Sequence, residues 1–342
     1  MIDDLYTASS HTKSPIGRQG YSLVELLIAI VITALVGGAI ATNYIVQQRA
    51  ATKVRQMAYI QQQIRGVFYI MAEDIRLAGY NRIPEAPDSQ RNFGILDIQS
   101  YDIPDNDDSL TAQTGGSPIL QLAYDYNRLR PNSQANSNYA PRCAGAPAEP
   151  TTGNGQPDEP YYAYLLFDEG GDGITELGRR VYDDICGDTT EILAENIEAV
   201  GFAYAFDNDG DNLLDVIPGT THPFWAVDTN NDNTLDTNLD VNMDGLINID
   251  DADSESTDPV IGTPLPGGVQ ISVDKIRAVR IWLLAGSGKD PRYEDTNTYV
   301  VGNHIIDMTD TANHTRHAPN RRRLLVDHVL DCRNMFPADR ML

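Results

Sequence analysis

From Leu23 to Val46 the chain is almost wholly apolar, and Glu25 is the one charged side chain in the run. At ~1.5 Å per residue, those residues are long enough to cover a hydrocarbon core of ~30 Å as a helix. Beyond the run the pattern changes to three-and-four spacing. Val54, Met57, Ile64, Phe68, Met71, Ile75 and Ala78 recur on one face, with Arg49, Lys53, Arg55, Gln61, Gln62 and Arg65 between them. The spacing predicts one helix from Ser22 to about Ala78, stopped by Gly79 and Pro84. Its apolar stripe is expected to dock on the rest of the chain rather than to pair with a second helix.

Residues 84–160 are rich in Pro, Asn, Ser, Gln and Gly, broken by FGILDI from Phe93 and PILQLAYDY from Pro118, which predict two strands joined by long loops. YYAYLLF from Tyr161 and ELGRRVY from Glu176 flank a glycine-rich turn and read as a hairpin. EILAENIEAVGFAYAF from Glu191, DKIRAVRIWLLAGS from Asp274 and RRRLLVDHVL from Arg321 supply further strands. A long helix followed by antiparallel strands is an α+β pattern.

The formal charge of −24 argues against nucleic acid or an anionic membrane surface as a partner of the main body and favours cations, metal ions included. Cys143, Cys186 and Cys332 are too few for a disulfide framework. Cys143 and Cys186 flank the hairpin, so they are the favoured pair if the head is exported, leaving Cys332 free.

Ahead of the apolar run lies a polar leader containing Lys13 and Arg18, and the run itself is too long for the apolar region of an ordinary signal peptide. The two cations favour a cytoplasmic leader and an exported body. A carboxylate costs roughly 2.5 to 3.5 kcal/mol at the centre of a span and less near an end, so Glu25 calls for a partner or for water. Gly20, then Tyr21, Ser22, Leu23, Val24 and Glu25, then the unbroken apolar helix, resemble the signal of type IV prepilins and pseudopilins. The resemblance implies that a prepilin peptidase cuts after Gly20 and methylates the amine of Tyr21. It also implies that Glu25 meets the terminal amine of a neighbouring subunit in the filament. Tyr21 stands where phenylalanine is commoner. MAEDIRLAGY, LAENIEAVGFAY, KIRAVRIWLL and RRRLLVDHVLDCRN narrow the resemblance to PilW-type minor pilins, with J-type minor pseudopilins of type II secretion as close cousins.

On that resemblance the expected organisation is a leader at 1–20, a transmembrane and assembly helix at 21–80, and a pilin-like α+β head at 81–342 with an antiparallel sheet. The implied partners are other minor and major pilins, the peptidase and the inner-membrane assembly platform. The implied location is the inner membrane with a periplasmic head, then the filament at the cell surface. A type II pseudopilin, or a calcium-dependent tip adhesin using pilin export, is the alternative.

Residues 207–258 hold thirteen Asp, one Glu and no Lys or Arg, a formal −14. DNDGDNLLD, DTNNDNTLD and DVNMDGLIN share one register. Oxygen ligands recur at positions one, three, five and nine: Asp207, Asp209, Asp211 and Asp215; Asp228, Asn230, Asp232 and Asp236; Asp240, Asn242, Asp244 and Asn248. Position six, where a calcium loop turns sharply, holds Asn212, Asn233 and Gly245, and position eight holds Leu214, Leu235 and Ile247. A hard cation takes six to eight oxygens, which alternating carboxylates on a tight loop can supply. The third copy resembles the calcium loop of dockerin repeats, which adds the Leu246 carbonyl and Asp251 at position twelve. The first two end at Pro218 and Leu239 and are looser, closer to thrombospondin-type repeats. DEGGDGITE from Asp168 has only part of the pattern and reads as the hairpin turn.

Signatures of catalysis are missing. No GxSxG, HExxH or P-loop spacing occurs, and His304, His314 and His317 read as solvated loop histidines. No catalytic residue is expected, and the chain reads as a non-enzyme.

Overall fold

A computed structural model describes residues 22–79, 94–98, 101–102, 120–123, 161–168, 174–182, 189–252, 261–311, 314, 317–332 and 335. The chain divides into two compact units, Met1–Arg55 and Gln56–Leu342. Cys143 and Cys186 lie outside the described residues.

The described part of the first unit is helical and belongs to helix α1, Leu23–Leu77. None of residues 22–55 is buried. The helix is long and apolar enough to cross a membrane. The hydroxyls of Thr33, Thr42 and Thr52 donate to the carbonyls of Ala29, Gly38 and Gln48 at 2.7, 2.9 and 3.0 Å. These three hydroxyls are thus satisfied within the helix, without water.

In the second unit the remainder of α1 docks, as the periodicity predicts. Ile60, Ile64, Val67, Phe68, Met71, Ala72 and Ile75 are buried, whereas Met57 is only half-buried. Val54, which falls in the first unit, is exposed, so the docking stripe begins later than the sequence pattern suggests. Asp74 interrupts this apolar face. Its carboxylate accepts from Tyr164 Oη at 2.5 Å and from Arg179 Nη2 at 2.8 Å, and Arg179 Nε stands 2.8 Å from its second oxygen. The guanidinium of Arg179 also lies 4.4 Å over the ring of Tyr162.

Strands follow the helix, and every strand pairing among the described residues is antiparallel. A first sheet of five has the order β1 (Gly94–Ile98), β3 (Leu120–Ala123), β4 (Tyr161–Phe167), β5 (Glu176–Tyr182), β6 (Thr189–Glu195). A second sheet of seven contains β7 (Ile197–Phe206), β8 (Ala226–Val227), β10 (Thr237–Asn238), β11 (Thr263–Pro264), β13 (Ile276–Gly286) and β16 (Arg323–Asp331), in the order β11-β10-β8-β7-β13-β16. The short β2 (Tyr101–Asp102) pairs with β7. Two ribbons complete the set: β9 (Thr234–Leu235) with β12 (Ile271–Ser272), and β14 (Thr298–Val301) with β15 (His304–Asp307). The α+β order expected from the sequence, one long N-terminal helix and then antiparallel strands, is the order observed.

The segment from Glu191 departs from its apolar pattern. It is broken at Asn196, whose φ of 59° ends β6 in the first sheet and sends β7 into the second. Asparagine tolerates that left-handed turn better than most residues.

β7 is buried at all ten of its positions, and its two faces differ in size. Val200, Phe202, Tyr204 and Phe206 join the cluster that includes the α1 stripe, while Ala199, Ala203 and Ala205 face a second cluster with Trp225, Leu239, Ile247, Trp282 and the β14–β15 ribbon. Gly201 sits on the small face, where a Cβ would come within 2.4 Å of Gly302 N.

At the end of β13 a buried charge cluster ties the sheet to the residues before β16. Arg323 Nε donates to Glu198 Oε2 at 2.7 Å, and Arg323 Nη1 donates to Asp295 Oδ2 at 2.8 Å. His317 Nδ1 lies 3.3 Å from Glu198 Oε2 and only 3% of the residue is exposed, so this histidine is a core residue and not the solvated one expected. Burial works against ionisation of Glu198, but the hydrogen bond with His317 and the charge of Arg323 outweigh it and hold the carboxyl below its usual range. Cys332 is buried with a free thiol, pushed up to about 12 chiefly by burial.

Candidate metal centre and maturation motif

The three acidic repeats share one backbone. Asn212, Asn233 and Gly245 at position six have φ of 65°, 63° and 83°, the left-handed turn that the residue types predicted. Position four is left-handed as well, with φ of 79° at Gly210, 59° at Asn231 and 64° at Met243. That second turn was not read from the sequence, since a methionine gives no signal for it.

Each loop wraps its backbone N–H groups around the carboxylate at position one. Asp207 accepts from Gly210 N and Asn212 N at 2.7 and 3.0 Å, Asp228 from Asn231 N and Asn233 N at 2.8 and 2.7 Å, and Asp240 from Asp244 N and Gly245 N at 3.1 and 2.9 Å. Position three accepts from the N–H of position five in each loop, at 3.1, 3.0 and 2.9 Å. Position five accepts from position seven at 2.7, 2.9 and 2.7 Å. The alternation of oxygen-bearing residues thus folds into three tight turns, each wrapped around its position-one carboxylate.

Closure at the far end differs between the copies. Asp215 N donates to Phe206 O at 2.9 Å and Asp236 N to Val227 O at 3.0 Å, and the carboxylates of Asp215 and Asp236 accept from the position-two N–H groups of Asn208 and Thr229. In the third loop Asp251 does this work from position twelve. It accepts from Val241 N at 2.9 Å, Asn242 N at 3.2 Å and Asn248 N at 3.0 Å. Asn248 in turn caps the 3-10 turn Ile249–Asp251, which fixes Asp251. Leu235 and Ile247 at position eight are buried, and Leu214 packs partly buried against the second cluster, so each loop is anchored by one apolar side chain.

The position-one carboxylates are buried beneath exposed ones. Asp207, Asp228, Asp240 and Asp251 are at most 1% exposed, whereas Asp209, Asp211, Asp232 and Asp244 face solvent. Carboxylate oxygens of Asp207, Asp209 and Asp215 all lie within 4.8 Å of one another, so the first loop brings three carboxylates together most closely. The third loop has asparagines at positions three and nine, and fewer of its donors are charged. Burial, with the charges of Asp209, Asp207 and Asp211 beside it, raises the Asp215 carboxyl above its usual range against the hydrogen bond from Asn208. Among the described residues, Arg277 approaches from outside the repeats, its Nε 3.9 Å from Asp207. Among the described residues Asp228, Asp240 and Asp251 have no ion-pair partner. The donors are all oxygens, arranged on tight loops at a negative site, and they fit a hard divalent cation.

At the other end of the chain, Glu25 has a local partner that the sequence analysis did not assign. Ser22 N donates to Glu25 Oε2 and Val24 N to Ser22 Oγ, each at 3.2 Å. Ser22 and Glu25 have the S-x-x-E spacing of a helix capping box, so the signal was present in the sequence. Gly20 and Tyr21 lie outside the described residues.

Residues 17–41 match the family described as the prokaryotic N-terminal methylation motif. The chain therefore carries a prepilin-like maturation signal at its first helix. Over 82% of its length it aligns with the whole of a solved type IV-like pilin from Thermus thermophilus, at 12% identity and a TM-score of 0.30. No curated protein sequence matches it.

Proposed function

We propose that this chain is a minor pilin of the PilW type, made as an inner-membrane prepilin and assembled into a type IV pilus beside other minor and major pilins. The observation that carries this reading is the methylation motif at residues 17–41, which includes the start of a helix, Leu23–Leu77, apolar enough to span a membrane. The head is exported to the periplasm and then to the cell surface, and it works by binding neighbours rather than by catalysis. Filament initiation or a place in the tip complex is the role proposed.

Calcium is proposed as the ligand of the acidic repeats. Asp207, Asp209, Asp211 and Asp215 would hold one ion, Asp228, Asn230, Asp232 and Asp236 a second, and Asp240, Asn242, Asp244, Leu246 through its carbonyl, Asn248 and Asp251 a third. The ion would supply the positive charge that the buried carboxylates lack. The third loop has the full twelve-residue set and is expected to fill first.

Maturation is the direct test. The mature chain is expected to begin at a methylated Tyr21, and Gly20→Val to leave the whole population uncut, read by mass spectrometry of membrane and filament fractions. An intact leader in assembled filaments overturns the reading. Recovery of the chain in sheared pili at a small fraction of the major subunit supports a minor pilin, while its loss abolishing protein secretion instead of piliation assigns it to a secretion pseudopilin.

Glu25 has two separable jobs, and two variants distinguish them. Glutamine retains the capping acceptor but no charge, whereas alanine removes both. If Glu25 meets a neighbour's terminal amine, both Glu25→Gln and Glu25→Ala are expected to reduce incorporation into filaments by about tenfold or more, the effect of losing a low-dielectric ion pair. Cleavage after Gly20 is expected to continue in both. Normal incorporation of Glu25→Gln reduces the carboxylate to a helix cap.

A further inference from the structure

Asn233, at position six of the second acidic loop, does something that its counterparts do not. Its N–H donates to Asp228 Oδ2 at 2.7 Å, as position six does in every copy. Its side-chain Oδ1 accepts from Ile98 N at 3.2 Å, across 135 residues of sequence. Ile98 is the last residue of β1, the edge strand of the first sheet, and at Tyr101 the chain has already entered the second sheet through β2. Asn233 therefore holds the backbone N–H at the end of β1, three residues before the chain enters the second sheet at Tyr101. The neighbouring residues support the same contact. Thr234 and Leu235 form β9, paired with Ser272 and Ile271 of β12, and the turn Val273–Lys275 that follows lies against β1. Gln270 Nε2 donates to Asp232 Oδ2 at 3.2 Å and adds a second tie between the loop and the residues before β12. Among the described residues Asn212 makes no such side-chain bond, and Gly245 has no side chain to make one.

We infer that the second acidic loop is a latch on the sheet crossover. A chain of bonds runs from the Asp228 carboxylate through the Asn233 backbone to the Asn233 side chain and the Ile98 N–H, so ordering of the loop is transmitted to β1. The calcium dependence of the latch rests on the cation reading given above. A cation held by Asp228, Asn230, Asp232 and Asp236 fixes the turn that carries Asn233, and loss of the cation frees both.

Hydrogen exchange on the full-length chain in detergent micelles, followed by mass spectrometry, tests this with calcium chloride as the probe. Asn233→Gly is the informative variant, because glycine accepts the left-handed turn, as Gly245 does in the third loop, but has no oxygen to offer Ile98. It is expected to speed exchange in residues 94–98 by about three- to tenfold, the range for one hydrogen bond, and leave the calorimetric heat of calcium binding in place. In the wild-type chain, calcium is expected to slow exchange in residues 94–98, and in Asn233→Gly to have no effect there. Equal exchange of residues 94–98 in the two chains overturns the latch, whatever calcium does. A calcium heat in wild type with no change in residues 94–98 overturns the coupling alone. No heat at all, with Asn233→Gly still speeding exchange, sinks the calcium reading and keeps Asn233 as a fixed tie between loop and crossover.

Discussion

Asp74→Ala is expected to destabilise the head by about 3–5 kcal/mol, the range for removing one partner of a buried ion pair. The size follows from what is left behind. Arg179, with a side chain only 17% exposed, would keep its charge beside the core without the carboxylate that faces it, and Tyr164 Oη would lose its acceptor. Because Asp74 lies on the buried face of α1 and Arg179 on β5, the loss falls on the contact between helix and sheet. A midpoint shift on the order of 10 °C is expected for a domain of this size. Thermal unfolding of the detergent-solubilised chain, followed through Trp225 and Trp282, measures it. Adding Arg179→Met should recover part of the loss, since an apolar side chain removes the charge that had faced Asp74. A cost below about 1 kcal/mol would put the pair in the class of surface salt bridges.

Chelation of calcium is expected to lower head stability by about 1.4 kcal/mol for each loop that was filled at a tenfold excess over its dissociation constant, or ~4 kcal/mol for all three. Extracellular calcium modules bind at ~10⁻⁴ to 10⁻³ M, so millimolar calcium is the working range. The buried carboxylates explain why the effect should be large: Asp228, Asp240 and Asp251 are held by N–H groups but face no described cation, and the segment carries −14 overall. Asp244→Ala tests the third loop cleanly. Asp244 is exposed and within its loop serves mainly Leu246 N, so its loss should cost the calcium-free chain little while removing that loop's share of the calcium gain. Thermal unfolding with calcium and with chelator, beside calorimetry, reads both. Superimposable curves with no heat of binding would leave the repeats as acidic turns that need no ion.

Much of this was legible because period and turn chemistry are local. The apolar run and the three-and-four stripe located α1, and the residue types at position six located three left-handed turns to the residue. The ligand count of each repeat is legible in the sequence, whereas how closely the oxygens come together is set by the fold, as the Asp207, Asp209 and Asp215 trio shows. Long-range pairings left no trace in the pattern. Nothing in MAEDIRLAGY says that Asp74 will find Arg179, and nothing around His317 says that Glu198 will bury it. The break at Asn196 was hidden by apolar residues on both sides, so one apolar segment became strands of two different sheets. Glu25 is the reverse case: its S-x-x-E capping spacing with Ser22 is local and stands in the sequence.

The unequal faces of β7 bear on how freely this head can change. Its buried alanines make a face of small side chains, Gly201 leaves no room for a Cβ, and what covers them is the β14–β15 ribbon together with Trp225, Leu239 and Ile247 from the acidic segment. The acidic segment is thus a roof over the sheet rather than an ornament at its rim. A shortened variant lacking it would bare a strip of small apolar residues too flat to repack, and would have to rewrite the outer face of β7 at the same time. The strand and the loops are expected to be exchanged between proteins together or not at all.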